Sequence, residues 1–456
     1  MDLAEQLRNI GIENISSSPS QMYCYCTDAS QIRGMPECVV RPRNTEQVSD
    51  IVKFANVNGI PLVARGAGTG MAGGAVAVKG GIVLDMSGMD RIISVEVENL
   101  QVLVEPGVVH SKLNEVLKPQ GFFFPPDPGS SEMCTLGGLI GNNGSGMRSV
   151  KYGTTRHYVL DLEVVMADGS IIHTGSKTLK SITGYDLTGL MVGSEGTLGI
   201  ITKALLKIHP LPKARSVMLA SFETAEMAGE AVVRTLASGI VPSACEILDS
   251  TTIQALKSYD PQLDLSDAGA ILLFEVDGTS GAVREGIETI KEVCSSLSFH
   301  TKAAKDTAEA ERIWSARRMV GAAISRIDPK RTRVYAGEDI GVPIKEIPLM
   351  LSHIHKISEE SGIPIMIYGH IGDGNLHTGM AIDLLDSAQM ETVNKIADRI
   401  HRTAIMLGGT VSAEHGIGAA RAEYVRMEKG NALDVMIAIK KALDPKGILN
   451  PGKMGV

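Results

Sequence analysis

The sequence predicts an α+β fold of at least two domains, and three observations carry that expectation. At 456 residues the chain exceeds what one hydrophobic core sustains, since single cores stop growing at roughly 250–300 residues. From about residue 60 to 210 it is dense in glycine and in short β-rich runs, GIVLDM (81–86), LQVLVEPG (100–107) and VLDLEVVMADGSII (159–172), with few places for a long helix. After Pro210 and Pro212, apolar strands SVMLASF (216–222) and AILLFEV (270–276) alternate with helix-period stretches at 224–238 and 282–297. The proline-marked stretch 210–215 is the expected domain boundary.

The clearest single element is a helix over 45–58. Val48, Ile51, Val52 and Ala55 repeat at the helical period behind Asn44 as N-cap, with Gln47 placed for a capping box and Gly59 as the stop. A strand, Ile60 to Ala64, follows directly. Further on, strands are expected at 333–343 and 363–370 around a helix at 345–361, and a long amphipathic helix at 387–407 ends at Gly408 and Gly409.

Composition excludes several classes of function. With 44% hydrophobic and 21% charged residues, the chain can bury a core and is not disordered. A net charge of -8 without a run of Lys and Arg gives no footprint for nucleic acid. The acidic start MDLAEQLRNIGIENIS and the lack of about 18 uninterrupted apolar residues predict no signal peptide and no transmembrane segment, hence a cytoplasmic location that leaves peripheral membrane contact open. Six cysteines in so long a chain are expected as reduced thiols.

Residues 65–74 read RGAGTGMAGG immediately after an apolar strand. Glycines at 66, 68 and 70 let several N–H groups converge on an anion such as pyrophosphate. Gly68, Gly70 and Gly73 satisfy GxGxxG, but AVAVKGG and another strand follow, leaving no room for the helix that a Rossmann dinucleotide site requires. PPDPGS (125–130), TLGGLIGNNGSG (135–146), KYGTT (151–155) and GSEGTLGIIT (193–202) are further backbone-exposing stretches in the same domain. Five such loops point to an extended ligand lying along backbone.

In this order and spacing, RGAGTG, PPDP, the Gly-Gly pair with its Asn-containing loop, YG and SEGTLGIIT resemble the FAD domain of the vanillyl-alcohol oxidase / p-cresol methylhydroxylase (PCMH) flavoproteins. The branch resembled is that of D-lactate dehydrogenase, glycolate oxidase and D-2-hydroxyglutarate dehydrogenase. The resemblance runs from PECVVRP at residue 36 to NPGK at the end. It implies a PCMH-type FAD-binding domain of two α+β subdomains over 1–213, an α+β substrate or cap domain with an antiparallel sheet over 214–407, and a C-terminal segment, 408–456, returning to the flavin. It places Arg65, Gly66, Ala67, Gly68, Thr69 and Gly70 around the FAD pyrophosphate. Asp127, Ser130, Thr135, Gly138, Asn143, Gly146 and Gly153 are expected along the flavin and ribityl chain. Glu195, Gly196, Gly199 and Ile201 are expected to contact the adenosine half or frame the loop beneath it. Two departures stand out: Leu139 replaces the Asn that many relatives carry after the Gly-Gly pair, and the glycine loop has no His for covalent attachment, so FAD is expected to be dissociable.

Histidine is scarce, 11 in all, yet two stand in His370-Ile-Gly-Asp-Gly-Asn-Leu-His377 and another in Ser412-Ala-Glu414-His415-Gly-Ile-Gly418. Two imidazoles seven apart across a glycine turn, joined by a carboxylate from elsewhere, form the ligand set of open catalytic metal sites. HIGDGNLH and AEHGIG are also the C-terminal signature of the resembled branch. Carried over residue by residue, His370, His377 and Glu414 become ligands of a divalent metal (Zn, Mn or Fe), and His415 becomes the base beside the flavin. Asn375 either holds the turn or touches substrate. In Glu311-Arg-Ile-Trp314-Ser-Ala-Arg317-Arg318 the resemblance makes Arg317 the bidentate grip on a substrate carboxylate, with Arg318 facing elsewhere.

The function implied is oxidation of a small D-2-hydroxy acid to the 2-oxo acid by hydride transfer to flavin N5. Relatives that oxidise 2-hydroxyglutarate place a lysine where this chain has Gly337-Glu338-Asp339, which favours D-lactate, then glycolate. No cysteine cluster suits an iron-sulfur centre, so electrons need an external acceptor: an electron-transferring flavoprotein, an Fe-S subunit, a quinone or a cytochrome. The alternative is the FAD subunit of a multi-component glycolate or lactate oxidase complex. A homodimer is compatible with either.

Overall fold

The computed structural model of the chain describes residues 2–334 and 337–456. Residues 335 and 336, inside the strand expected over 333–343, lie outside the described residues. Two compact units are formed, the first from residues 1–145, 154–211 and 414–456, the second from 146–153 and 212–413. Both are α+β. Among the described residues no helix is long and apolar enough to cross a membrane, and none of the six cysteines forms a disulfide.

The first unit carries two main sheets. The smaller runs Ile15–Ser16, Cys38–Val40, Ile82–Asp85, Leu62–Arg65, the last three strands parallel. The helix Thr45–Asn58 packs Val48, Ile51, Val52 and Ala55 into the same core as Leu62, Ile82 and Leu84. Asn44 caps it by accepting from the Gln47 N–H at 2.9 Å, and Gly59 ends it in the left-handed region. The expected capping box is shifted by one: Gln47 Oε1 accepts from the Arg43 N–H at 2.8 Å, outside the cap. The second sheet is antiparallel, in the order Ile92–Glu96, Gln101–Val104, Ile200–Lys207, Val159–Val165, Ile171–His173. The stretch read as strand over 159–172 is thus a hairpin, turned at Ala167-Asp168-Gly169.

The last forty residues of the chain complete this unit rather than trail from it. Leu62 N–H donates to Ile448 C=O and Asn450 N–H to Leu62 C=O, both at 2.7 Å, and Ile448 and Leu449 join the Leu62 core. A buried ion pair, Lys440 with Asp444, fixes the approach: the ammonium also donates to the C=O of Thr197 and of Leu449, while the carboxylate accepts the N–H of Ile448 and Leu449. Every lone pair and proton of consequence has a partner, the condition under which a buried pair is tolerated.

The second unit is built on one antiparallel sheet ordered Ser298–Ala303, Ala214–Phe222, Ala270–Gly278, Ala244–Asp249, Met366–Gly369, Asn375–Ile382, Thr332–Val334, with Ile340–Gly341 also pairing with Asn375–Ile382. One face is covered by helices Ala225–Ala237, Ser280–Cys294, Ile347–Ser361 and Ser387–Met406 over a large apolar core. Helix Thr307–Ser325 covers the other, through Ala310, Trp314, Val320, Ala323 and Ile324. Gly146–Gly153 belongs here because Arg148 pairs with Glu275 at 3.1 Å and both Lys151 and Tyr152 bind Asp277.

Lys453 offers a direct pH test of the C-terminal closure. Its side chain is 0% exposed, donates to Val76 C=O at 2.8 Å, and burial pushes its pKa down from 10.5 to about 8. The unfolded chain therefore holds a proton that the folded chain has released between about pH 8 and 10.5, so this group's contribution to stability rises with pH across that window and is lost as pH falls through 8. The melting temperature of wild type minus that of Lys453→Met is expected to increase from pH 8 to 10.5. A difference that stays flat over the window contradicts the assignment.

Candidate active site

In the first unit the glycine loop forms one wall of a cavity of about 480 Å3, within the usual range for small-molecule sites. Arg65, Gly66, Ala67, Gly68, Thr69 and Gly70 all line it. Ser130, Thr135 and Gly138 form a second wall, Glu195, Gly196, Gly199 and Ile201 a third, and Glu414 and His415 close it. Asp127 and Asn143 lie off the wall. The Asn143 side chain instead accepts from Thr154 Oγ1 and the Arg156 N–H, pinning the loop behind the cavity. Gly146 and Gly153 pack with the second unit.

The backbone N–H groups of Ala67 to Ala75 find no acceptor among the described residues. Most of this loop lines the cavity, and unpaired backbone donors beside a cavity suit the anion that the loop composition suggests. Arg65 braces the loop from beneath: its Nη1 donates to Ala75 C=O at 3.2 Å and its guanidinium lies 5.4 Å from the centre of the Tyr25 ring. Burial lowers the Arg65 pKa, against the attraction of Asp28. Gly68 has φ +71°, and a Cβ there would overlap the Arg65 guanidinium, so glycine is required by the protein itself. Gly70 is different. Its φ is not positive, and a Cβ would meet nothing closer than Asp28 Oδ2 at 3.8 Å. Neither backbone nor packing calls for a glycine there, which leaves close approach by a ligand as its physical reason. Asp28 Oδ2 itself is buried without a hydrogen-bond partner among the described residues.

Glu195 lines the cavity, and both of its carboxylate oxygens are engaged by backbone. It accepts from the N–H of Ile417 at 2.6 Å and of Gly418 at 2.8 Å. Burial raises its pKa, opposed by those two backbone donors. These bonds tie the Glu414–Gly418 turn to the stretch that carries Glu195. Glu414 in turn accepts from Ser145 Oγ at 2.9 Å, and His415 C=O accepts from Asn142 Nδ2 at 3.4 Å.

In the second unit the glycine turn between strands Met366–Gly369 and Asn375–Ile382 sets His370 and His377 with ring centres 5.2 Å apart, both rings buried. Gly374, at φ +81°, passes so close to Val342 C=O that no side chain fits. Asn375 holds the turn: its Nδ2 donates to Asp339 Oδ1 and to Ile340 C=O. Arg317 projects from helix Thr307–Ser325 to Glu246, its Nε donating at 2.6 Å, and stacks 5.4 Å from the Tyr368 ring centre. Its two terminal nitrogens bind no group among the described residues. Arg318, one residue on, pairs with Glu311 at the exposed face. Glu246 also holds His370 Nδ1 at 2.6 Å. Burial works to raise the Glu246 pKa, but His370 and Arg317 outweigh it and hold the carboxyl below its ordinary value.

Sequence reasoning passed over Glu246, Asp339, Tyr368 and Asp28. One signal was available for Glu246 and its neighbour Glu275: a carboxylate in the middle of an otherwise apolar strand, ACEILD and ILLFEVDG, needs a buried partner.

Residues 36–175 match the model of an FAD binding domain, and residues 211–454 that of the C-terminal domain of FAD linked oxidases. The chain is 40% identical to the glycolate oxidase subunit GlcD of Bacillus subtilis (strain 168), over 99% of this chain and 96% of that one. It is 33% identical to the mitochondrial D-lactate dehydrogenase [cytochrome] of Arabidopsis thaliana, over 99% and 80%. A solved structure of p-cresol methylhydroxylase with substrate bound shares the fold at TM-score 0.81 and 18% identity, over 99% of this chain and 96% of that one.

FAD fits the first unit's cavity on two counts: unpaired loop N–H groups for its pyrophosphate and the open space before Gly70. Gly70→Ala is expected to fold with the wild-type melting temperature when stripped of FAD and to bind FAD at least tenfold more weakly. Gly68→Ala is expected to destabilise even the stripped protein. Equal FAD affinity for Gly70→Ala and wild type, measured by flavin fluorescence titration, would remove the loop from the binding site.

Proposed function

We propose that this chain, which belongs to the family of FAD-linked oxidases, oxidises a small D-2-hydroxy acid to the 2-oxo acid, D-lactate ahead of glycolate, and delivers the electrons to an external acceptor. The observation that carries the proposal is Arg317, a guanidinium whose side chain is only 11% exposed and whose Nε is anchored on Glu246, so that its terminal nitrogens are oriented for a carboxylate. The activities named for the Bacillus and Arabidopsis relatives support a hydroxy-acid substrate.

Bound FAD supplies the two-electron sink. The protein supplies position and proton handling. Arg317 grips the carboxylate and fixes which face of the carbinol carbon is presented. His415 takes the hydroxyl proton, a task an imidazole suits near neutral pH. The buried imidazoles of His370 and His377 are the donor type that borderline divalent ions favour, and with Glu414 they are the proposed ligands of a metal that would acidify the substrate hydroxyl. FAD is held without a covalent bond, the loop carrying no histidine. The Bacillus relative is named a subunit, which favours a second reading: this chain is the FAD-bearing member of a complex whose other members take the electrons.

Anaerobic mixing with a panel of hydroxy acids tests the reading. D-lactate is expected to bleach the flavin fastest, glycolate next, and either enantiomer of 2-hydroxyglutarate slowest; no bleaching by any of them would refute it. His415→Asn is expected to retain FAD while slowing bleaching by about 10²–10⁴-fold, the usual worth of a positioned base. Bleaching at the wild-type rate would take the proton-acceptor role away from His415.

A further inference from the structure

Glu246 lies mid-strand in Ala244–Asp249, on the sheet face covered by helix Thr307–Ser325, with 0% exposure. Neighbours on that face are apolar: Ala244 packs with Val217, Leu273 and Trp314, and Leu248 with Val320, Ile324 and Tyr368. A carboxylate there is costly unless its oxygens are fully engaged. Each oxygen has one partner. Oε2 accepts from Arg317 Nε and Oε1 bonds His370 Nδ1, both at 2.6 Å. With Nδ1 carrying the proton toward the carboxylate, the lone pair of the imidazole sits on Nε2, the tautomer a metal ligand requires.

The same face carries a second buried carboxylate with which Glu246 can be compared. Glu275, on the adjacent strand, binds Trp314 Nε1 at 2.9 Å and Arg148 Nε at 3.1 Å. Trp314 and Arg317 are three apart on one helix, so the two glutamates index the same helix at successive turns. The partners of Glu275, which also include Ser243 and Arg215, are not among the side chains proposed to bind substrate or metal. Those of Glu246, Arg317 and His370, are two of the side chains of this unit proposed to bind substrate and metal.

We infer that Glu246 is a positioning residue that sets the orientation of Arg317 and the ligating tautomer of His370 together, so that carboxylate binding and metal binding depend on one buried carboxylate. This rests on the reading under Proposed function. A bound metal biases His370, His370 bears on Glu246, and Glu246 fixes the plane of the guanidinium. Loss of the carboxylate charge therefore weakens both ligands at once, which a carboxylate that only stabilises the fold would not do.

The test uses full-length, FAD-loaded protein and two isosteric variants, Glu246→Gln and Glu275→Gln. Metal retained after dialysis against buffered Zn2+ or Mn2+ is measured by elemental analysis, and KM and kcat for D-lactate are measured in parallel. For Glu246→Gln a drop in metal affinity of about 10- to 100-fold and a rise in KM of at least tenfold are expected, with FAD content unchanged. Glu275→Gln is expected to lower the melting temperature and leave metal affinity and KM within twofold of wild type. Wild-type metal affinity and KM in Glu246→Gln would overturn the inference, as would equal losses in both variants. Should Glu246→Gln not fold, Glu246→Asp, which keeps the charge but shortens the reach, is expected to show the same paired loss; failure of both to fold assigns Glu246 to structure alone and overturns the inference. Wild-type protein that neither binds the metal nor turns over a hydroxy acid overturns the underlying reading, a result visible before any variant is made.

Discussion

The cavity of the first unit depends on one interaction, the buried carboxylate of Glu195 accepting the N–H groups of Ile417 and Gly418. It ties the turn that carries Glu414 and His415 to the glycine-rich domain across more than two hundred positions of sequence. The turn then fits so closely that Ala419 and Ala420 both donate to Ala72 C=O, and a Cβ on Gly418 would strike the same carbonyl. Asn450 extends the seam by donating to Gly74 C=O and Glu195 C=O. A loop that must leave its own N–H groups uncovered for a ligand cannot brace itself with them. Its support comes from the chain's last forty residues and from Arg65 beneath.

The second unit meets a related constraint with carboxylates on a sheet. Burying Glu246 and Glu275 among apolar side chains disfavours any arrangement that leaves them unpaired. Helix Thr307–Ser325 is therefore held in one register, with Trp314 over one carboxylate and Arg317 over the other. Coulombic attraction and the geometry of a planar guanidinium select this register more sharply than apolar packing alone. The orientation of the Arg317 guanidinium, the proposed grip on a substrate carboxylate, is in this way set by the fold.

Much of the site was legible in the chain itself because its demands on sequence are local. An anion cradle needs glycines in succession after a strand, and a turn that sets two imidazoles side by side needs glycine where Gly374 passes Val342. Both requirements leave a mark within ten residues. The carboxylates were harder to read. Glu195 looks like part of a ligand-binding stretch but serves the backbone of a distant turn, and Gln47 caps one residue outside the expected box. Asp28 and Tyr368 carry no motif at all; their importance arises only from what the fold sets beside them.

By itself the sequence determined the class of fold, the position of the glycine cradle and the histidine turn, because each follows from backbone sterics or helical and strand periodicity over short distances. Only the tertiary structure decided which backbone groups Glu195 accepts, that Gly70 is open where Gly68 is filled, and that Glu246 joins Arg317 to His370. Those are long-range matters of which buried charge finds which partner. Periodicity in a single sequence contains no term for that pairing, and in a packed interior it is set by geometry that exists only once the chain has folded.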